Sequence, residues 1–368
     1  MTELKLRYIR EGIAVKMRHV RVLVTGVATI LFIGIPSALS QMSLACTSFM
    51  AMTDHLVILG DSEDAGADHP LARNPAGGIV FFLPASAGNY GRMHLGWLWQ
   101  GKYRSFQAGM NDQGLAYALT AVPDVSMNRH PERPFLHGRD SFYDRILRNA
   151  ATVEEAIDLT LQFDFPSCWF QIQYADATGN SAIISPGIGG EMVITTRTPE
   201  SDYLVAATFN VADPNQFIGR DSFRRHTTAE EMLATITDDA ILTISSFSEV
   251  LAAVARQRAY FLGGSYTVYS TAYDLTNREA HIYLLSHFGE PIQIDVIEAL
   301  QEGERAIFLK DMIPSKSLRS ATRRYWATQT VGGLALFLPL GAILYGLALL
   351  VRLVSRLKKR RDTKPDSA

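Results

Sequence analysis

The residues best suited to chemistry in this 368-residue chain lie at Ala45-Cys46-Thr47-Ser48-Phe49. Cys46 sits just past an apolar segment, where one cut makes it the first residue. A thiolate is a strong nucleophile. A cysteine that begins a chain also has a base of its own, an α-amine of pKa about 8 a few bonds from the sulfur. No histidine here has the local signature of a papain-type partner, so an amine-assisted thiol does not compete with a Cys–His pair. Two other readings of Cys46 stand beside this one: a lipidated cysteine, which Ala45 suits and Ser43 does not, and an inert core cysteine. Downstream, Asp64 closes Gly60-Asp61-Ser62-Glu63-Asp64. One of these carboxylates can hold and tune a new ammonium at Cys46. The same run also reads as a solvated loop or a calcium-type loop.

Such a pair needs a rigid frame, and the chain is long enough for one large domain with an ample core. It is 47% hydrophobic and 20% charged, with a net charge of −2. That balance gives no electrostatic case for nucleic acid. Two cysteines, Cys46 and Cys168, exclude a disulfide scaffold and a cysteine-rich metal site; Cys168, followed by two aromatics, reads as core. Strand patterns fall at 56–59, 78–83, 115–119, 170–174, 182–184, 192–195, 203–207, 266–270 and 280–285. Helical patterns fall at 140–149, 152–161, 222–235 and 246–259. Thr152-Val153-Glu154-Glu155 resembles a capping box. Strands in runs, with helices between the runs, predict a layered α+β domain. Gly187-Ile188-Gly189-Gly190 opens no helix, so a dinucleotide site is not indicated.

The ends read differently. A basic start, a charge-free run at 22–35 and small residues after it form a signal-peptide pattern. Ala38-Leu39-Ser40 and Ser43-Leu44-Ala45 both suit cleavage; the second exposes Cys46 directly. From 327 to 351 there is no charged residue, and a basic tail follows. That length predicts one transmembrane helix. The expected organisation is 1–45 signal peptide and pro-piece, 46–300 catalytic domain, 301–326 juxtamembrane linker, 327–351 transmembrane helix and 352–368 basic cytoplasmic tail. The domain would then be single-pass anchored on the periplasmic or extracellular side.

Cys46-Thr47-Ser48-Phe49, Gly60-Asp61-Ser62-Glu63-Asp64, Phe81-Phe82-Leu83-Pro84-Ala85 and Gly88-Asn89-Tyr90-Gly91-Arg92, in that order, resemble the start of the N-terminal-nucleophile (Ntn) amide hydrolases. The branch is that of choloylglycine hydrolases, penicillin V acylases and related linear-amide hydrolases. Gly109-Met110-Asn111-Asp112-Gln113-Gly114-Leu115, 175–180 and 267–274 are similar to later segments of that group. The resemblance covers about 46–300. It implies a four-layer αββα sandwich and cleavage of linear amides without cofactor or metal. It implies Cys46 as nucleophile, Asp64 as holder of its amine, and an oxyanion donor at Asn210, with Thr208 as the other register. Bile-salt hydrolases carry an arginine where this chain has Asp61, and their second oxyanion asparagine falls at Ala121.

Asn111, Gly109 and Gly114 read as turn formers. Arg224, Arg225 and His226 read as a solvated helix face, or as a binder of a substrate carboxylate. Phe49, Met50, Phe81, Phe82, Trp97 and Trp99 are core or the lining of an acyl pocket. The expected activity is hydrolysis of a non-peptide carbon–nitrogen bond in a small N-acyl amide. The expected partners are that substrate and the membrane, with a homo-oligomer left open. The alternatives are an idle membrane-anchored sensor or scaffold of the same fold, and a lipoprotein lipidated at Cys46.

Overall fold

A computed structural model of the protein describes residues 46–362, except 136–138, 214–219, 237–240 and 261–263, and except the side chains of 139–140, 333–340, 344 and 357–362. In chain order the strands are β1 (Thr47–Met52), β2 (Val57–Ala65), β3 (Ile79–Leu83), β4 (Arg92–Trp99), β5 (Tyr103–Asn111), β6 (Ala116–Ser126) and β7 (Ser167–Ala175). They continue with β8 (Ser181–Pro186), β9 (Met192–Thr196), β10 (Tyr203–Ala207), β11 (Tyr266–Asp274), β12 (Glu279–Leu284), β13 (Ile292–Asp295) and β14 (Arg305–Phe308). The helices are α1 (Pro70–Arg73), α2 (Arg139–Asn149), α3 (Val153–Leu161), α4 (Arg220–Ile236), α5 (Ile244–Val254), α6 (Val296–Gln301), α7 (Leu309–Met312) and α8 (Ser315–Asp362).

The strands form two antiparallel sheets, ordered β10-β1-β2-β11-β12-β13 and β14-β3-β4-β5-β6-β7-β8-β9. Their apolar residues sort into three cores, because alternate side chains on a strand face opposite ways. Met50, Leu59, Phe82, Leu95, Tyr269 and Ile282 pack between the sheets. Phe81, Tyr117, Phe142, Ile146 and Ile172 pack the larger sheet against α2 and α3. Phe49, Ile58, Leu233, Phe247 and Leu251 pack the smaller sheet against α4 and α5. The result is the expected helix–sheet–sheet–helix layering.

Local chemistry sets several boundaries. The Thr152 side chain accepts from the Glu155 amide and starts α3. Asn111 does what a turn former should: its Oδ1 accepts from the Gln113 and Leu115 amides, and Gly114 has φ +86°. The second of the predicted 222–235 and 246–259 helices stops early, because Ala255 is extended. β4 and β5 carry no clean alternation, and a bulge separates Leu95 from Gly96.

The packed domain runs on past residue 300. β14 pairs with β3, and Ala321 and Tyr325 at the start of α8 are buried in the core between the sheets. Tyr325 donates its hydroxyl to the Ala72 carbonyl at 2.6 Å. Residues 301–325 are therefore part of the sandwich rather than a free linker. The predicted signal peptide lies outside the described residues. Residues 327–351 are helical within α8, but among the described residues no helix is long and apolar enough to cross a membrane.

Gly60, on β2, tests the packing above the site. A Cβ there would lie 2.5 Å from the Phe247 ring and 3.2 Å from the Phe49 ring. Gly60→Ala is expected to cost about 1–3 kcal/mol by overpacking, read as a lower denaturant midpoint at unchanged slope.

Candidate active site

β1 begins at the residue after Cys46 and lies between β10 and β2. Hydrogen bonds on both sides fix it, so its first residues have little freedom. Thr47 stands opposite Ala207 on one side and Ser62 on the other. Cys46 is buried, and its sulfur lies 3.4 Å from Glu63 Oε2. The Asp64 backbone amide also hydrogen-bonds the sulfur. On the far side, Glu63 Oε1 is 3.2 Å from His69 Nε2, and His69 Nδ1 accepts from the Leu71 amide.

Alternation along β2 divides its acids. Asp61 and Glu63 share the face of Leu59, between the sheets. Asp64 takes the other face, toward α4. There its Oδ2 accepts from Arg225 Nη1 at 2.8 Å, with both side chains fully buried. Its Oδ1 accepts a short hydrogen bond from the Thr267 hydroxyl. Arg225 also reaches the Cys46 carbonyl at 3.4 Å, and Thr208 donates to that same oxygen at 2.9 Å. Asp221 adds a second acid to Arg225, at 3.6 Å, and bridges to Arg256 at 3.2 Å.

Burial dominates the electrostatics. It raises the Cys46 thiol well above its ordinary pKa, and Glu63, Asp64 and Asp61 raise it further by like-charge repulsion with the thiolate. Burial also raises Asp64 from 3.8 to about 6, against the opposing pull of Arg225, Arg256 and the Thr267 hydroxyl. Ion-pair geometry alone would suggest a depressed value; desolvation outweighs it here. Asp64 is still ionised at neutral pH.

The structure thus brings Cys46 and Asp64 together at the ends of two paired strands, on opposite sides of the sheet. Thr208, the other register for the oxyanion donor, touches the Cys46 carbonyl. Asn210 is buried nearby in sequence, and its Nδ2 donates to the Pro186 carbonyl at 2.6 Å while its Oδ1 accepts from the Ala212 amide. Arg225 corrects the solvated-face reading: it is fully buried. Neighbouring Arg224 is exposed and pairs with Asp221 at 3.1 Å. Only the spacing of small and apolar residues at Ser222, Ala229 and Leu233, all buried with Arg225, could have placed the arginine inward. Glu63 and His69 were also missed, and no sequence signal separates them from a polar loop. Of the pocket aromatics, Phe82 and Trp97 face the inter-sheet core, Phe49 and Phe81 face the helical layers, and Trp99 is exposed. Cys168 is a buried core residue.

Breaking the central ion pair gives a direct test of its role. Arg225→Met would leave Asp64 buried without its cation and is expected to cost about 3–5 kcal/mol of unfolding free energy, measured by chemical denaturation.

No family model and no curated protein matches the sequence. Solved structures do match the fold. A variant of conjugated bile acid hydrolase from Clostridium perfringens superposes with a TM-score of 0.54 at 17% identity, covering 72% of this chain and 96% of that one. Penicillin V acylase from Agrobacterium tumefaciens superposes with a TM-score of 0.52 at 20% identity, covering 71% of this chain and 90% of that one. With two antiparallel sheets between helical layers and Cys46 at the head of a central strand, this chain has the fold of the Ntn hydrolases to which those two enzymes belong.

Proposed function

We propose that the protein hydrolyses a linear, non-peptide carbon–nitrogen bond in an N-acyl substrate, with Cys46 as the nucleophile once it is the first residue. One observation carries this reading: in an Ntn-hydrolase fold, Cys46 heads a central strand beside a buried, ion-paired Asp64. The names of the neighbouring structures, a conjugated bile acid hydrolase and a penicillin V acylase, support the reaction class.

The electrostatics explain why a freed α-amine matters. A buried thiol among three carboxylates does not ionise unaided near neutral pH. A new amine supplies a proton acceptor and leaves an ammonium beside the thiolate. The S–H proton passes to the amine as sulfur bonds to the amide carbon. The tetrahedral oxyanion then collapses, the leaving amine takes the proton from the ammonium, and a thioester remains. Water attacks the thioester, gives its proton to the α-amine and releases the acid, with the proton returning to sulfur. Asp64 holds the ammonium, and Arg225 and Thr208 hold the Cys46 carbonyl. Asn210 is the proposed oxyanion donor. Its bonds to Pro186 and Ala212 fix the side chain, and an amide nitrogen has a second N–H to give.

The stretch 327–351 also supports the membrane reading. It carries no charge, and Ile343, Tyr345, Leu350 and Val351 are exposed on α8. We place the domain outside the cell membrane with this helix as its anchor. Recovery of the full chain in the soluble fraction after expression would oppose that placement; retention in the pellet after alkaline carbonate extraction is expected.

Mass, mutagenesis and pH dependence test the enzyme. The mature chain is expected to begin at an unmodified Cys46 by intact mass, and Cys46→Ala is expected to abolish N-acyl amide hydrolysis; a chain that keeps its activity without the thiol sinks the mechanism, and a diacylglycerol mass makes Cys46 a lipoprotein cysteine. Asn210→Ala should lower kcat by about 10²–10³ if it donates to the oxyanion. Activity should fall on acidification with a midpoint at or just below pH 6, as Asp64 loses its charge. Stability moves the other way. Because the folded-state pKa of Asp64 is raised above 3.8, its contribution to folding is greatest below that value and is lost as pH rises through about 6.

A further inference from the structure

The acids around Cys46 differ in what they bind. Asp64 has Arg225 and the Thr267 hydroxyl. Glu63 has the Cys46 sulfur and His69. Among the described residues, Asp61 has neither cation nor donor: it is 1% exposed, and neither carboxylate oxygen has a hydrogen-bond partner. Burial, and then Glu63 and Asp64, both of its own sign, push its pKa well above the ordinary carboxylate range. A buried carboxylate without a partner is costly, so a strand gains nothing structurally by keeping one.

Two hydroxyls, each with an oxygen able to accept, lie on the same face. Ser48 stands directly opposite Asp61 on β1, so the two side chains share one face. The Ser48 hydroxyl is buried without a partner among the described residues. Tyr269 stands opposite Glu63 on β11, packs in the inter-sheet core, and also has a buried hydroxyl with no partner among the described residues. Its charge neighbours include Glu63, Asp61 and Cys46, which places the phenol at this cluster. A carboxylate and two hydroxyl oxygens on the face of the nucleophile form a receptor for N–H donors. The guanidinium of Arg225 is spent on Asp64, on the opposite face of the sheet.

We propose that Asp61 selects the substrate: the site takes N-acyl amides that carry a cationic nitrogen, ammonium or guanidinium, close to the scissile bond. Asp61 is two residues from Glu63 along β2, and Glu63 touches the sulfur, so the cation sits about 7 Å from the attacked carbon. That distance corresponds to a chain of about four or five bonds. The cation pairs with Asp61 and donates to Ser48 Oγ and Tyr269 Oη. An anionic amine such as an amino acid would meet like charge, the reverse of a site with arginine at this position. This inference rests on the amide-hydrolase reading and adds its substrate class.

The test is equilibrium binding to mature Cys46→Ala protein, which needs no turnover. Two matched series of octanoyl-length amides are used, one with ammonium, methyl or carboxylate at the end of a four-carbon amine, the other with those groups on the acyl side. In one series the ammonium member should bind about tenfold or more tighter than the methyl member. Asp61→Asn and Asp61→Ser should each remove that preference, and Asp61→Arg should turn it toward the carboxylate. Equal affinity of the ammonium and methyl members in both series, or a preference that survives both Asp61→Asn and Asp61→Ser, overturns the proposal. Failure of the hydrolase reading looks different: Asp61-dependent binding persists, but the protein with Cys46 intact turns over none of the ligands.

Discussion

A guanidinium and a carboxylate, both without solvent exposure, meet 2.8 Å apart where α4 crosses the smaller sheet. Either charge alone would be untenable there, so strand and helix are obliged to fold together. The pair also reaches beyond itself. Arg225 and Thr208 converge on the carbonyl of Cys46. The residue that heads β1 is thereby held at its backbone, from the side opposite its sulfur. Thr267 completes the arrangement from β11, where a bulge between Thr267 and Tyr269 lets the hydroxyl meet Asp64 while the ring of Tyr269 stays between the sheets.

β2 then acts as a divider of charge. Its period of two sends Asp64 to the arginine side, and Asp61 and Glu63 to the thiol side. A slip of one residue would exchange these faces and put a carboxylate pair against the helices. The neighbours prevent it: β1 and β11 bond β2 on both sides, and Gly60 admits the Phe247 ring at only one position. Burial, and then the acids placed near the sulfur, favour the protonated thiol.

Much of this was legible in the sequence. Layering followed from strand runs and helical periods; Cys46 stood out through its type and place, while Asp64 was picked from its run of acids only by the resemblance. Other parts were hidden for physical reasons. Arg225 lies in Arg224-Arg225-His226, where polarity suggests solvent; only tertiary packing turns one arginine inward and its neighbour out. β4 and β5 are buried yet contain Arg92, His94 and Gln107, so neither alternation nor a continuous apolar run marks them. His94 is stacked on Phe106 at 4.1 Å and bonded to the Tyr117 hydroxyl, partners supplied by other strands. β14 has four residues and pairs at a sheet edge, too short for any local pattern. Asn210 was placed only by the resemblance, and its bond to the Pro186 carbonyl depends on β8 and could not be read locally.

The seating of α8 sets the direction in which that helix leaves the sandwich. Ala321, Tyr325 and Gln329 are buried; Gln329 accepts from the Tyr260 amide at 2.9 Å, and a Cβ at Gly332 would collide with Ala259. These contacts span about three turns of helix, so its direction is set by the sandwich and not by a loose joint. A rise of about 1.5 Å per residue then makes the emerging helix a stalk of defined angle and height. Anything bound to its far end would face the sandwich in one orientation, as a lamp is aimed by a stiff post and not by a cord.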